Sequence, residues 1–191
     1  ERVCSAAVLD LDDHGGALTR EELLCYAADI QRAALSWNLR GIPWVSSSGH
    51  GVHIWFLWDQ PQDAYSVREC LKEVLNALGL SSGTQGLANS EVELFPKQDH
   101  VPEGGFGNQV WLPLGGKSAY LCCNELIDEL LRPVAPETYD ASIWVMSDAV
   151  PVLERPVQEA LPAILPEDIE DALIEVADML PSIKAYDYDN W

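Results

Sequence analysis

The stretch Ser46–Phe56 reads SSSGHGVHIWF, a glycine-rich loop that runs into a strand. Side chains alternate between the two faces of a strand, so Val52, Ile54 and Phe56 are expected on one face and His53 on the other. The stretch therefore predicts a strand with an apolar face turned to a core and a histidine on the opposite face, beside the loop.

The loop itself carries the chemistry-bearing groups. Gly49 and Gly51 permit positive φ and close backbone approach, which suits a loop whose N–H groups meet a phosphate. Ser48 and His53 would then be convergent polar groups. The alternative is a β-hairpin turn with one histidine whose hydrogen bonds are made within the protein. The loop alone favours that simpler interpretation, because glycine-rich turns are common.

The composition predicts one sizeable domain with a small appendage, because the chain has 191 residues of which 48% are hydrophobic. No apolar run is long enough to span a bilayer and no leader opens the chain, so we expect a soluble, cytoplasmic protein without a membrane partner. The first residue is Glu1, which suggests a fragment of a longer polypeptide. The five cysteines form no Cys-x-x-Cys pair and are expected to be small buried side chains.

The net charge of −20 bears on the choice of partner. Residues 125–191 contain 16 acids and 3 bases, whereas residues 1–124 contain 15 acids and 8 bases. Because phosphate contacts come largely from Lys and Arg, this balance argues against tight, non-specific duplex binding. It leaves open an active site that meets nucleic acid through metal ions.

A second candidate site lies upstream of the loop, where Ser5–Asp12 is predicted to be a buried strand that ends in acids. The period of two places Asp10 and Asp12 on the same face. Two such carboxylates repel each other unless a cation lies between them, and oxygen ligands suit Mg²⁺ or Mn²⁺. An acid pair that faces solvent at a strand end is an equally good interpretation of these two residues alone.

Caps and periodicity predict the other elements. Thr19 and Glu22 form a capping box at the start of a helix, and Asp63 caps a second helix that Gly79 ends. Alternation and helical spacing predict the remaining elements: strands at Ile42–Val45, Val52–Trp58, Glu91–Gln98 and Val110–Leu114, and helices near Asn124–Leu131 and over Leu165–Leu180. The connection from Leu80 to Ser90 is expected to be a loop.

Three motifs, in order, resemble those of the archaeo-eukaryotic primase superfamily. They are Asp10-Leu11-Asp12, the glycine-rich segment from Ser48 to His53, and Val92-Glu93. The segments Glu93–Asp99, Gly104–Asn108 and Leu112–Leu114 are similar to a narrower branch, the primase-polymerases of phages, plasmids and bacterial conflict systems. The resemblance covers roughly Ala6 to Gly115.

The resemblance implies an α/β (α+β) fold, with a core of two small sheets flanked by helices and the active site in the cleft. Residues 1–124 would be the primase-polymerase catalytic core. Residues 125–191 would be a proline-rich, acidic helical extension that leads to a further domain, for which a helicase is the expected identity.

The resemblance also assigns site residues. It implies two Mg²⁺ or Mn²⁺ ions held by Asp10, Asp12 and Glu93, a nucleotide clamp made by Ser48 and His53, and phosphate or base contacts from Lys97 and Asn108. Glu91 shares the face of Glu93 and is the alternative third metal ligand.

The function implied is that of a DNA primase-polymerase, a template-dependent nucleotidyltransferase acting in phage or mobile-element replication. Its partners would be nucleoside triphosphates and a single-stranded or primed DNA template. Two alternatives remain. One is a repair or conflict-system polymerase of the same superfamily, and the other is a catalytically idle primase-like module that binds nucleic acid or protein.

Overall fold

A computed structural model describes residues 2–13, 15–87, 90–101, 104–105, 107–124 and 128–156. This part of the chain contains two sheets and two α-helices, which confirms the predicted α+β class. The elements are β1 (Val3–Asp12), α1 (Arg20–Leu35), β2 (Ile42–Val45), β3 (Val52–Asp63), α2 (Ala64–Asn76), β4 (Gly83–Leu87), β5 (Ser90–Phe95), β6 (Leu121–Asn124) and β7 (Asp128–Pro133). Short 3₁₀ turns follow at Pro136–Thr138 and Ala141–Ile143.

The larger sheet is antiparallel, with strand order β2-β3-β1-β5-β4. β1 is therefore the central strand, and the register places Asp10 opposite His53 of β3 on one side and opposite Glu93 of β5 on the other. The smaller sheet pairs β6 with β7, and Val45 N–H donates to Ala119 O at 2.8 Å where the chain enters β6. The second sheet thus begins along the β2 edge of the first.

One face of the large sheet packs against both helices. Leu9 of β1, Ile54 and Phe56 of β3 and Val92 of β5 are fully buried there with the apolar side chains of α1 and α2. This confirms the prediction that Val52, Ile54 and Phe56 point into a core. The polar face of β1 and β3 is therefore the face that the helices leave open.

A second apolar cluster covers part of that open face. The Trp44 ring stacks on Trp144 with centroids 5.5 Å apart, and Tyr139 meets Trp44 edge-on at 5.4 Å. Tyr120 is a tilted neighbour of Trp44 at 5.6 Å. Since Tyr120, Tyr139 and Trp144 all follow the large sheet in sequence, this cluster attaches the later part of the chain to β2.

Residues 144–153 then run back along the core as a strap held by hydrogen bonds. Ser147 N–H donates to Leu57 O at 2.8 Å, and Trp58 Nε1 donates to Asp148 O at 2.8 Å. At the end of the strap, Leu153 N–H donates to Ser66 Oγ at 3.0 Å. The strap belongs to the same compact unit as the sheet, which comprises Glu1–Leu153.

Both predicted helix caps are confirmed. Thr19 Oγ1 accepts from Glu22 N–H at 3.2 Å while the Glu22 carboxylate accepts from Thr19 N–H at 2.8 Å, which is the reciprocal capping box. Asp63 Oδ1 accepts from Ser66 N–H at 2.9 Å at the start of α2. The α2 helix ends before Gly79, whose φ of 71° lets Leu80 N–H return to Leu75 O.

Three predicted elements are wrong. The helix expected near Asn124–Leu131 is replaced by the β6–β7 pair, whose register sets Cys122 opposite Arg132. The strand expected over Val110–Leu114 is irregular chain, and Leu114 has a φ of 72° that a strand cannot contain. The connection over Leu80–Ser90 contains β4, because pairing with β5 outweighs its Gly- and Gln-rich composition.

The cysteine prediction is partly wrong as well. Cys70 is buried in α2 as expected, but Cys25 and Cys122 are exposed. Burial raises the pKa of the half-buried Cys4 thiol to about 11, with the Asp63 carboxylate adding to the effect. The thiols of Cys4, Cys25 and Cys70 are not in disulfide bonds.

The helical extension predicted over residues 125–191 is not supported in the part that the structure describes. Its described part, residues 128–156, contains β7, the two 3₁₀ turns and irregular chain, so it is not α-helical. The helix predicted over Leu165–Leu180 lies outside the described residues. The domain boundary after residue 124 stays a prediction. Within the described part of the chain, no helix is both long and apolar enough to cross a bilayer.

The Tyr139 hydroxyl offers a test of the second cluster. It accepts from Tyr120 N–H at 2.8 Å and donates to Val134 O at 3.1 Å, in a half-buried position. Tyr139→Phe leaves both backbone groups without this partner, so the free energy of unfolding should fall by about 1–3 kcal/mol in urea titrations.

Thr138→Val is the matched control for that variant. The exposed Thr138 hydroxyl donates to Ala135 O at 2.6 Å, and water can replace it. Its removal should change stability by less than about 0.5 kcal/mol. Equal losses in the two variants would contradict a structural role for the Tyr139 hydroxyl.

Candidate active site

A recess of about 510 Å³ opens on the face of the large sheet that the helices leave free. Its walls come from three parts of the chain: the ends of β1, β3 and β5, the glycine loop, and the segment around Trp111. The lining residues are Asp10, Asp12, Asp13, Ser46, Ser47, Ser48, His50, His53, Glu93, Phe95, Gln109, Val110 and Trp111. These walls belong to the larger sheet and to two loops, and the placement of the active site in a cleft stays a prediction.

Asp10 lies at the centre of the recess because β1 is the central strand. His53 Nε2 lies 3.2 Å from Asp10 Oδ1, with the His53 side chain 8% exposed and that of Asp10 13% exposed. The contact lacks hydrogen-bond geometry, and Asp10 Oδ1 is a buried acceptor without a donor among the described residues. Buried carboxylate oxygens normally have a partner, so this orphaned oxygen fits a cation that the protein binds.

Asp12 lies two residues further along the same face of β1. A Cβ atom at Gly51 would stand 2.1 Å from Asp12 Oδ1 and 2.8 Å from Leu11 O. Only glycine therefore allows the loop to approach this carboxylate. Gly51 acts through close packing, whereas Gly49 has the positive φ, at 88°.

Hydrogen bonds within the glycine loop correct one prediction. Gly49 N–H donates to Ser46 O, and Gly51 N–H donates to Ser46 Oγ, both at 2.9 Å. His50 N–H donates to Ser48 Oγ at 3.2 Å. The N–H groups of Gly49, His50 and Gly51 are thus engaged inside the loop and are not free for a phosphate.

Three further contacts hold the loop in place. The buried Ser46 hydroxyl shares a hydrogen bond of 2.9 Å with the Ser48 hydroxyl. Arg20 of α1 donates to Gly49 O at 2.7 Å, and Lys117 N–H donates to Ser47 O at 3.0 Å. The loop is therefore tied to α1 and to the turn before β6, which fixes the position of the Ser48 side chain.

Glu93 reaches the recess from β5, and Lys97 forms an ion pair with its carboxylate. Glu91 lies opposite Asp12 but lines a neighbouring recess together with Arg68, Lys72 and Lys97. The recess around Asp10 thus contains Glu93 and not Glu91. This favours Glu93 over Glu91 as the third acid of the site.

Five of the seven predicted site residues are brought together, and two are not. Asp10, Asp12, Glu93, Ser48 and His53 all line one recess. Lys97 does not line this recess, but it forms an ion pair with Glu93, which does. Asn108 is exposed and lines other recesses.

The acids are not arranged as a finished metal centre. No group of three or more His, Cys, Asp or Glu side chains in the described ranges could hold a metal ion as placed. The ion pair with Lys97 accounts for the position of Glu93, because the ammonium group neutralises the carboxylate. Asp10 and Asp12 nevertheless present the oxygen donors that Mg²⁺ and Mn²⁺ prefer, and the orphaned Asp10 oxygen fits such an ion.

Sequence reasoning missed several residues of the recess. Asp13 braces the site, since its carboxylate accepts from Leu18 N–H at 2.8 Å, Ser90 Oγ at 2.7 Å and Ala17 N–H at 3.0 Å. These hydrogen bonds, with that from Leu18 the largest, hold the pKa of Asp13 below its usual value. Trp111 was also missed, because alternation placed it in a strand. Its position in a Gly- and Pro-flanked segment was the available signal.

A comparison with protein-family models assigns the chain to a family. The family model described as the archaeo-eukaryotic primase domain of the TOTE conflict system matches residues 1–138, which include every strand and helix named above. No curated protein sequence matches the chain significantly. Because the family model covers well over half of the chain, the protein belongs to the archaeo-eukaryotic primase domains of TOTE conflict systems.

Proposed function

We propose that this chain is a template-dependent nucleotidyltransferase, a DNA primase-polymerase that adds nucleotides to a primer 3′-hydroxyl. The observation that carries the proposal is the buried Oδ1 of Asp10, which has no well-formed hydrogen bond among the described residues and is flanked by His53 and Glu93 in a primase-family domain. A carboxylate placed in this way is costly unless a cation compensates it.

Asp10 and Asp12 would hold divalent metal, Mg²⁺ or Mn²⁺, and Glu93 would join them once it leaves Lys97. When bound, a pair of such ions activates the attacking hydroxyl and stabilises charge on the leaving oxygens. The chain's own contribution is to hold the three carboxylates on adjacent strands. Lys97, released from Glu93, would then be available to a phosphate at the border of the recess.

Ser48 and His53 would position the triphosphate of the incoming nucleotide. The Ser48 hydroxyl is exposed on the loop, and its position is fixed by the bond to Ser46. His53 lies beside Asp10 on the floor of the recess and can donate from its ring to a phosphate oxygen. Because the N–H groups of Gly49, His50 and Gly51 are engaged, these side chains carry the phosphate contacts in our proposal.

The biological setting that we propose is a conflict system. The matching family model is described from such systems, which favours the conflict-system alternative over phage or mobile-element replication. A single-stranded or primed DNA template, nucleoside triphosphates and a helicase domain in the full-length chain remain proposed partners.

A second candidate function is a catalytically idle module that binds nucleic acid. The ion pair between Lys97 and Glu93 favours it, because this pair already engages the carboxylate of one of the three acids that line the recess. A primer-extension assay with Mg²⁺ or Mn²⁺ separates the two functions. An absence of nucleotide incorporation with either ion and every nucleotide set would support the idle module.

The metal-holding acids give the first activity prediction. Asp10→Asn and Asp12→Asn should each lower template-dependent incorporation by about 100-fold or more, in the range seen when one charge-stabilising group is lost. Without metal, the free energy of unfolding should stay the same or rise, because repulsion between carboxylates is relieved. Primer extension, Mn²⁺ titration and urea unfolding measure these effects. Asp59→Asn, an exposed acid of β3, is the control and should keep full activity.

The third ligand can be assigned by a matched pair of variants on β5. Glu93→Gln should abolish incorporation, whereas Glu91→Gln should retain it, because only Glu93 lines the recess with Asp10. Both changes preserve side-chain size on the same strand face. The opposite result in the same extension assay would make Glu91 the ligand.

His53 tests the proposed phosphate clamp. His53→Gln should weaken binding of a non-hydrolysable nucleotide by about tenfold and leave Mn²⁺ affinity nearly unchanged, since a charge-assisted hydrogen bond to phosphate is lost. Calorimetry with metal present measures both affinities. His100→Gln, a change at an exposed histidine that does not line the recess, is the control. Unaltered nucleotide affinity in His53→Gln would restrict His53 to orienting Asp10.

A further inference from the structure

An exposed apolar segment borders the candidate active site. Residues Gln109–Gly115, here called the 109–115 segment, form irregular chain between β5 and β6. Trp111 is 72% exposed, Leu112 68% and Leu114 64%. Exposed apolar side chains that cluster in this way are typical of a binding surface.

The segment connects two recesses. Gln109, Val110 and Trp111 line the recess that contains Asp10, and the same three residues line a second recess of about 870 Å³. The second recess is completed by Trp55, Asn108 and the rest of the segment. A ligand in the second recess would therefore border the recess that contains the carboxylates.

Trp55 supplies an independent sign of a ligand. It follows His53 on the same face of β3 and is only 6% exposed, yet its indole N–H is buried without an acceptor among the described residues. The Trp44 indole N–H is in the same state, within the aromatic cluster. Both rings belong to the same buried cluster, and Trp55 differs in that it also lines the recess, so an acceptor on a ligand is the hydrogen-bond partner that we infer for it. Buried indole N–H groups normally have such a partner.

The charge of the chain indicates the kind of ligand. Eleven Lys and Arg residues stand against 31 Asp and Glu residues, so contacts to phosphate cannot supply most of the affinity for nucleic acid. Stacking of a base on an aromatic ring needs no basic residue and accounts for about 5- to 150-fold in affinity per base. Three exposed apolar side chains within four residues form a surface longer than one ring, which fits consecutive bases of a strand.

We propose that Trp111, with Leu112, Leu114 and Trp55, forms a stacking platform for unpaired bases of the template strand. The position of this strand beside the carboxylates rests on the proposed function, whereas the binding of unpaired bases does not. Trp111 stacks on one base, and the Trp55 indole N–H donates to an acceptor on the edge of a base. Affinity for single strands then depends weakly on salt, since few counterions are released.

The test measures binding of fluorescein-labelled oligo(dT) to the whole chain by anisotropy, in EDTA and across a salt series. Trp111→Ala should weaken binding by about 5- to 150-fold, and Trp111→Phe should restore most of the affinity. Trp37→Ala is the control, because Trp37 is 43% exposed just after α1 and lines neither recess. Trp55→Phe, which keeps an aromatic ring but loses the N–H, should weaken binding about fivefold.

Several results would overturn the platform. One is an unchanged affinity of Trp111→Ala for oligo(dT). Another is an equal loss of affinity for a free nucleoside triphosphate, which would make the occupant the incoming base. A third is dissociation of a wild-type dimer by Trp111→Ala in sedimentation, which would make it a second copy of the chain.

The same experiment separates this proposal from the proposed function. Binding in EDTA requires no catalysis, so a chain that never extends primers but loses oligo(dT) affinity in Trp111→Ala would support the platform and refute the polymerase. If the wild-type chain extends primers and Trp111→Ala keeps both the full extension rate and the oligo(dT) affinity, the result would support the polymerase and refute the platform.

Discussion

The antiparallel pairing of β1 with β3 and β5 is the constraint on which the rest of the structure depends. It sets Asp10 between His53 and Glu93 and at the same time turns Leu9 and Leu11 into the core. A slip of one residue would exchange the two faces, placing carboxylates among leucines. Burial of the apolar face therefore fixes the strand register, and the register in turn fixes the positions of the acids in the candidate site.

Much of this arrangement could be predicted from local sequence. The caps at Thr19 and Asp63 depend on residues three apart, and the hairpin of β2 and β3 depends on alternation around one loop. Asp10 and Asp12 share a face for the same reason, since the period of a strand is two. In each case the deciding interaction lies within a few residues of the pattern that reveals it.

The missed features depend on partners that are distant in sequence or on single backbone angles. β4 forms because it pairs with β5, and β7 forms because it pairs with β6. The composition of β4 and that of β7 do not predict strands. Alternation over Val110–Leu114 gave a false strand because Leu114 has a positive φ. The ion pair between Glu93 and Lys97 joins a residue of β5 to one that lies four positions later, beyond the end of the strand. Strand periodicity does not predict a contact at this separation.

The strap over residues 144–153 has a consequence for how the molecule acquires its fold during synthesis. Its hydrogen bonds join residues from 87 positions apart, as for Ser66 and Leu153, to 110 positions apart, as for Asn38 and Asp148. Contacts of such separation slow folding, because a long loop must close before they form. A ribosome has to release residues well past the matched family region, which ends at residue 138, before these bonds can close. Until then the Trp58 indole lacks its acceptor, and the nascent chain is exposed to chaperones and proteases.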